Sequence, residues 1–289
     1  MIPAMSAKSD VRALDVDWLG VCRAARGKLE AIFDASRSTG ERAVETGLGA
    51  GGDRTLVIDG DAESAVFEEL DALHAEGYDF TAVSEERGTI TFGSGESPVR
   101  IVIDPIDGSL NAKRLIPGYS LSIAVADGET MEDVQFGYVY DFGTGEEYVA
   151  RLGEGATLDG VALDADNDGL GLEVVGFESA KPEWIAPVAA QLEGSVYRLR
   201  VVGSIALSLC YLAATRFDGM LTAHVCRSVD AAAAQLVARE AGAFVSVLGH
   251  GGLEAPLDLD ARFRLAGART PEGLETLVKA LTDAGLPEG

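Results

Sequence analysis

Cysteine is scarce in this 289-residue chain. Cys22, Cys210 and Cys226 are an odd set with no CxxC pair. A disulfide framework is therefore excluded, and the thiols are expected to be buried and reduced in a cytoplasmic protein. Histidine is equally sparse, with only His74, His224 and His250. No HExxH or clustered Cys/His pattern supports a zinc site. Lysine is limited to Lys8, Lys28, Lys113, Lys181 and Lys279, and 23 basic residues face 47 acidic ones, for a net charge of -24. That average field repels a nucleic-acid backbone, and no basic stretch offsets it. No run of 18 apolar residues is present, so no transmembrane helix is expected. The opening MIPAMSAKSDVRALD lacks a basic region followed by an apolar core, so no signal peptide is expected either.

What is present is a globular composition, 47% hydrophobic. The length suffices to bury roughly three quarters of the unfolded surface, as one large unit or two packed domains. The acidic residues are spread along the chain instead of forming a tail. They read as a solvated surface suited to concentrated salt, which screens self-repulsion, so a halophilic protein is expected.

Apolar positions at helical intervals (Val16, Leu19, Ala24, Leu29, Phe33) predict a helix within 15–44, with Asp15 as its cap. Gly47, Gly49, Gly51 and Gly52 then predict a flexible loop. Thr55–Ile58 reads as a strand ending at Asp59, and 61–76 as an amphipathic helix. Phe80–Val83 is strand-like and runs into Ser84-Glu85-Glu86. Residues 88–103 read as a hairpin, followed by strands at 119–126, 134–140 and 147–151. This order predicts an α+β layered unit. In the second half, strands are expected at 172–177, 197–202, 244–247 and 263–266, and helices at 203–214, 229–241 and 270–284. The Gly- and Asp-rich segment 155–170 is the expected boundary between an N-terminal α+β metal and phosphate domain (1–157) and a C-terminal α/β substrate-side domain (158–289).

The most specific string is Asp104-Pro105-Ile106-Asp107-Gly108-Ser109, directly after Ile101-Val102-Ile103. A strand delivers two carboxylates onto a turn, where Gly108 and Ser109 free backbone N–H groups at a helix start. That arrangement suits a metal-bound phosphate. Asp59, Glu85 and Asp230 also follow apolar runs or begin helices. Singly, Asp59 reads as a turn or cap residue, Glu85 as a solvated acid and Asp230 as an N-cap. Together they match magnesium, which takes oxygen ligands and retains waters. Buried carboxylates without a cation would repel one another.

These motifs resemble the inositol monophosphatase superfamily, most closely its archaeal branch, whose members often hydrolyse both inositol monophosphate and fructose 1,6-bisphosphate. The resemblance spans 54–267. It includes Thr55–Asp59 with Glu63, Ser84-Glu85-Glu86, the Asp104–Ser109 string, Gly203–Ala213 with Asp218-Gly219, and Arg227–Ala234 continuing to Gly242. It implies an α-β-α-β-α sugar-phosphatase fold. It also implies two or three Mg2+ ions held by Glu85, Asp104, Asp107, Asp230 and the Ile106 carbonyl. Asp59 would hold a further metal or its water, while Ser109 and Glu85 orient the attacking water. Gly108 and Ser109 N–H groups would receive phosphate. Asp107, Arg200, Ile205, His224 and Arg227 complete the implied substrate side. A phosphorylated polyol or sugar as substrate and a homodimer are the further expectations, with the 45–54 loop closing over the site.

Two positions depart from the pattern. His224 stands where the archaeal bifunctional enzymes usually place arginine, six residues before Asp230, and Val229 replaces a usual tryptophan or threonine. Histidine is smaller than arginine and titrates near neutrality, which weakens the bisphosphate reading. The same chemistry on 3'-phosphoadenosine 5'-phosphate or another small phosphate is the enzymatic alternative. A catalytically weak phosphate-binding homologue is the other, against which Glu85, Asp104, Asp107, Ser109 and Asp230 all stand intact.

Overall fold

Five layers, α-β-α-β-α, stack in the computed structural model, which describes residues 12–42, 45–48, 54–165 and 171–286. The chain opens with α1 (Trp18–Ala35), α2 (Thr39–Arg42), β1 (Glu45–Leu48), β2 (Arg54–Leu56) and α3 (Val57–Ala75). Next come β3 (Phe80–Ser84), β4 (Gly88–Phe92), β5 (Val99–Asp107) and the short α4 (Ser109–Arg114). A run of strands follows: β6 (Ser120–Asp127), β7 (Val134–Asp141), β8 (Glu146–Arg151), β9 (Gly155–Leu158) and β10 (Val161–Ala162). The second half comprises β11 (Leu172–Glu178), α5 (Pro182–Gln191), β12 (Val196–Arg200), α6 (Ile205–Ala213) and β13 (Gly219–Thr222). It closes with α7 (Ser228–Glu240), β14 (Phe244–Leu248), β15 (Arg264–Ala268) and α8 (Pro271–Asp283).

An eight-stranded sheet, ordered β10-β9-β8-β7-β6-β5-β3-β4, faces a five-stranded sheet ordered β12-β11-β13-β15-β14. The first is antiparallel apart from the β3/β5 pair. In the second, β11 runs parallel to both β12 and β13. Burial of apolar area drives the layering. Trp18, Leu29 and Phe33 of α1 and Phe67 and Leu70 of α3 cover one face of the large sheet. Helices α6 and α7 fill the space between the sheets, with Val102, Ala124 and Val139 below them and Met220 and Leu265 above. Val188 of α5 and Leu277 of α8 close the outer face against Phe177 and Leu221. The alanine run 231–234 is wholly buried and lets α7 approach β7 closely. A Cβ at Gly137 would lie 2.6 Å from the Ala233 carbonyl oxygen.

Several expectations are corrected. Helix α1 ends at Ala35, and its cap is Asp17, which accepts the Gly20 N–H, not Asp15. The expected strand 55–58 stops at Leu56. Helix α3 begins at Val57, so Asp59 lies in its first turn. Residues 88–103 do not form a hairpin, because β3 lies between β4 and β5 and pairs with both. The hairpin is β3–β4, with Glu85 and Glu86 in its turn. The glycine loop falls partly on residues 49–53, outside the described residues. Its flanks form the antiparallel pair β1/β2.

Candidate active site

Asp104 and Asp107 are three residues apart, a spacing that places side chains on opposite faces of a regular strand. A bulge reverses that parity. Asp104 pairs with Ser122, and Asp107 with Ser120, so three steps on β5 match two on β6. Ser120 and Ser122 share a face, and the two aspartates therefore do as well. Pro105 sits inside the bulge, where its missing N–H costs no ladder bond. Ile106 turns the other way, into the core beneath α1 and α3. Asp104 accepts the Ile106 N–H at 2.9 Å, which closes the turn.

The bulge ends at Gly108 (φ 96°), a left-handed position that also tolerates no side chain. An added Cβ would come 2.7 Å from the Gly118 carbonyl and 3.0 Å from that of Gly203. Ser109 then begins α4 and is exposed. Asp59, Glu85, Glu86, Asp104, Pro105, Ile106 and Ser109 line one small open cleft.

Asp230 is the third residue of α7, not its N-cap; its carboxylate accepts the Arg227 backbone N–H at 2.8 Å. The Arg227 guanidinium reaches Glu85 at 2.6 Å and Asp230 at 3.6 Å, tying the β3–β4 turn to α7. Asp107 is held by the start of α6: the Ser204 hydroxyl and the Ala206 N–H (2.7 Å) both donate to its Oδ2. Ser204 also caps α6 through the Leu207 N–H.

Electrostatics distinguish this cluster. Burial, then Glu85, Asp107 and Asp230, push the Asp104 carboxyl well above its usual range. Burial and Asp230 likewise raise Asp107, against the opposing pull of Ser204 and Ala206. The carboxylates thus crowd together around Arg227, and a further cation would relieve the remaining repulsion. Among the described residues, no group of three or more His, Cys, Asp or Glu side chains is already arranged to hold a metal ion. A magnesium ion held through one or two carboxylates, water and substrate phosphate needs no such arrangement. The all-oxygen donor set fits that ion.

The remaining expected residues are dispersed. Ile205 is half-buried at the first turn of α6, beside the Asp107 contacts. Arg200 is exposed at the end of edge strand β12, where it donates to the Leu199 carbonyl. His224 lies three residues before Arg227 and stacks on Trp184, with ring centres 3.8 Å apart at 20°. Lys181 sits 4.5 Å from the Trp184 ring centre. The stack was not legible, because Trp184 reads as an apolar helix position. Ser204 carried a signal, a serine directly before an apolar helical run, but nothing marked Asp107 as its partner.

A family model described as the inositol monophosphatase family matches residues 17–285. The chain belongs to that family. A fructose-1,6-bisphosphatase/inositol-1-monophosphatase of Methanothermobacter thermautotrophicus is 32% identical over 279 residues, covering 91% of this chain and 96% of the relative. A protein of the same description from Archaeoglobus fulgidus is 33% identical over 236 residues, covering 80% and 85%. A solved inositol monophosphatase–fructose 1,6-bisphosphatase superposes with a TM-score of 0.79 at 25% identity, covering 92% of this chain and all of the other. Family membership carries phosphatase chemistry on small phosphorylated sugars as the general activity.

Proposed function

We propose that this protein is a magnesium-dependent phosphate monoester hydrolase acting on inositol monophosphate, fructose 1,6-bisphosphate or both. The observation that carries this reading is the bulge that turns Asp104 and Asp107 to one face, in a cluster whose Glu85 and Asp104 line the cleft and whose Asp230 acts on both aspartates. Glu85, Asp104, Asp107, Asp230 and the Ile106 carbonyl would share two or three magnesium ions, with Asp59 at the cleft wall for the further ion or its water. When bound, magnesium polarises the phosphoryl oxygens and acidifies the attacking water.

The chain's own groups do the rest. The Gly108 and Ser109 N–H groups face the substrate phosphate. Glu85 accepts a proton from the attacking water, and the Ser109 hydroxyl fixes the water's direction. Water adds to phosphorus as the ester P–O bond breaks; the departing alkoxide takes up a proton from solvent and Glu85 releases its own, giving an alcohol and inorganic phosphate. Arg227 supplies a fixed positive charge beside Glu85 for the phosphoryl oxygens. No cysteine is drawn in, since all three are buried and unpaired.

Hydrolysis of inositol 1-phosphate, fructose 1,6-bisphosphate and 3'-phosphoadenosine 5'-phosphate, with magnesium or chelator and at low and molar salt, tests the reading. We expect metal-dependent turnover of at least one of the first two, and higher activity in salt. Turnover of none, or equal turnover after chelation, overturns it.

A further inference from the structure

Glu178 ends β11 with 1% of its surface exposed, and it does not line the cleft. Three donors converge on its carboxylate. The Ser208 hydroxyl (2.6 Å) and the Val202 N–H (3.1 Å) reach Oε1, and the Gly203 N–H (2.9 Å) reaches Oε2. Burial pushes its pKa up to about 7. Hiding an acid without a cation is costly, and a glutamine of the same shape would avoid the charge. It would not serve the loop, however. Both oxygens receive a backbone N–H, so an amide would turn its own NH2 against one of those donors.

The backbone that Glu178 grips, 201–204, is the joint between the two sheets. The Val202 carbonyl accepts Asn111 Nδ2 at 2.7 Å, and the same amide donates to the Gly118 carbonyl at 2.8 Å. The Gly203 carbonyl packs against Gly108, 3.0 Å from where a Cβ would sit. Ser204, the next residue, donates to Asp107. One buried carboxylate therefore secures the strip of chain from which Asp107, Gly108 and Asn111 are all held.

We propose that Glu178 is a positioning residue for the hydrolytic site, setting the 201–204 strip against the Asp104–Ser109 turn and so aiming Asp107 and the Gly108–Ser109 backbone. This rests on the phosphatase reading above. Partners of this outer kind typically cost about 10–100-fold in activity or metal affinity when lost.

The test is Glu178→Gln, with Ser208→Ala as its control. Ser208→Ala removes one donor to the same carboxylate but leaves both backbone N–H bonds. For Glu178→Gln we expect kcat to fall about 10-fold or more with KM changed less than about threefold, and calorimetric Mg2+ affinity to weaken several-fold. Ser208→Ala should lower the melting temperature comparably yet keep kcat within about twofold and Mg2+ affinity unchanged. In a double-mutant cycle with Ser204→Ala, the losses in kcat should be less than additive. Wild-type kcat and Mg2+ affinity in Glu178→Gln would overturn the proposal, as would turnover losses that follow melting temperature equally in both variants. Inactivity of the wild-type protein on every phosphate would instead sink the phosphatase reading, and the Mg2+ titrations would still decide the role of Glu178.

Discussion

Glu147 and Asp104 are both nearly sealed from water, at 7% and 3% exposure, yet their surroundings drive them in opposite directions. Arg23 grips Glu147 with two nitrogens (2.7 and 3.0 Å), Tyr138 donates at 3.1 Å, and Arg26 stands 3.6 Å away. The Arg23 hydrogen bond, opposed by burial, holds the Glu147 carboxyl below the usual range. Asp104 instead meets burial and three like charges, opposed by Arg227, and its carboxyl is pushed up. A chain that needs an acid only for structure neutralises it. One that leaves several acids crowded in a cleft keeps that charge for another purpose.

Replacing each acid by its amide should separate these roles. Asp104→Asn is expected to lower turnover at least about 100-fold, the scale of a lost electrostatic contact at a reacting centre. Its melting temperature without metal should equal or exceed that of the wild type, because one of the repelling charges is gone. Glu147→Gln should do the reverse: turnover within about twofold, and stability lower by about 1–2 kcal/mol. That figure is discounted because the Arg23 side chain is 53% exposed. Matched urea melts and steady-state assays on both variants check this. Loss of turnover in Glu147→Gln, or full turnover in Asp104→Asn, would erase the contrast.

The two regions were unequally legible. The Asp104–Ser109 turn was readable because a β-branched run delivers it and Pro and Gly punctuate it. The shared face of its aspartates was not, because alternation alone puts residues three apart on opposite sides and only the bulge corrects this. The opening of α3 was misread for a related reason. Val57 and Ile58 favour a strand locally, but Ile58 packs into the core shared with α1 and β5 as the first turn of α3, while Val57 stays exposed. Glu147 and Glu178 carry no local signal, since the Arg23 that pairs with Glu147 lies 124 residues away and the donors to Glu178 lie 24–30 away, and single acids at strand ends look like solvated ones. The layered fold was recoverable from motif order, but the pairing of β4 was not. Sequence adjacency suggested β5, while the register puts it on β3.

A pH series sharpens the same comparison. Glu63 is buried, accepts the Ser84 hydroxyl and the Arg87 N–H (3.2 Å), and is pushed up to about 6, chiefly by burial. A carboxyl raised in the folded state binds more protons than its unfolded counterpart between about 4.5 and 6. Stability therefore falls as pH rises through that window. Glu147, depressed in the folded state, does the opposite: its contribution is present above the unfolded value and is lost as pH drops below it. Glu63→Gln should flatten the decline between about pH 4.5 and 6, and Glu147→Gln should flatten the acid limb. Melts of the metal-stripped proteins from pH 3 to 8 test both signs. A Glu63→Gln curve parallel to the wild type would show that Glu63 does not titrate as assigned.

The smallest effect belongs to the rim, outside both acid regions. If crowded charge carries the hydrolytic step, a residue near Arg227 but outside that crowd should alter which phosphate is preferred and leave the step itself alone. His224 is such a residue. Its ring is packed flat on Trp184, with Lys181 beside the same indole. Arginine can stack on an indole much as histidine does, and it adds a permanent forked charge suited to a second phosphate. His224→Arg should therefore preserve the packing and raise kcat/KM for fructose 1,6-bisphosphate relative to inositol 1-phosphate by about 3–10-fold, mainly through KM. His224→Ala should lose the stacking contact yet retain most hydrolysis of the monophosphate. An unchanged substrate ratio in the arginine variant would remove His224 from the specificity surface. Loss of all turnover in the alanine variant would bring it inside the charged region that the comparison with Glu147 defines.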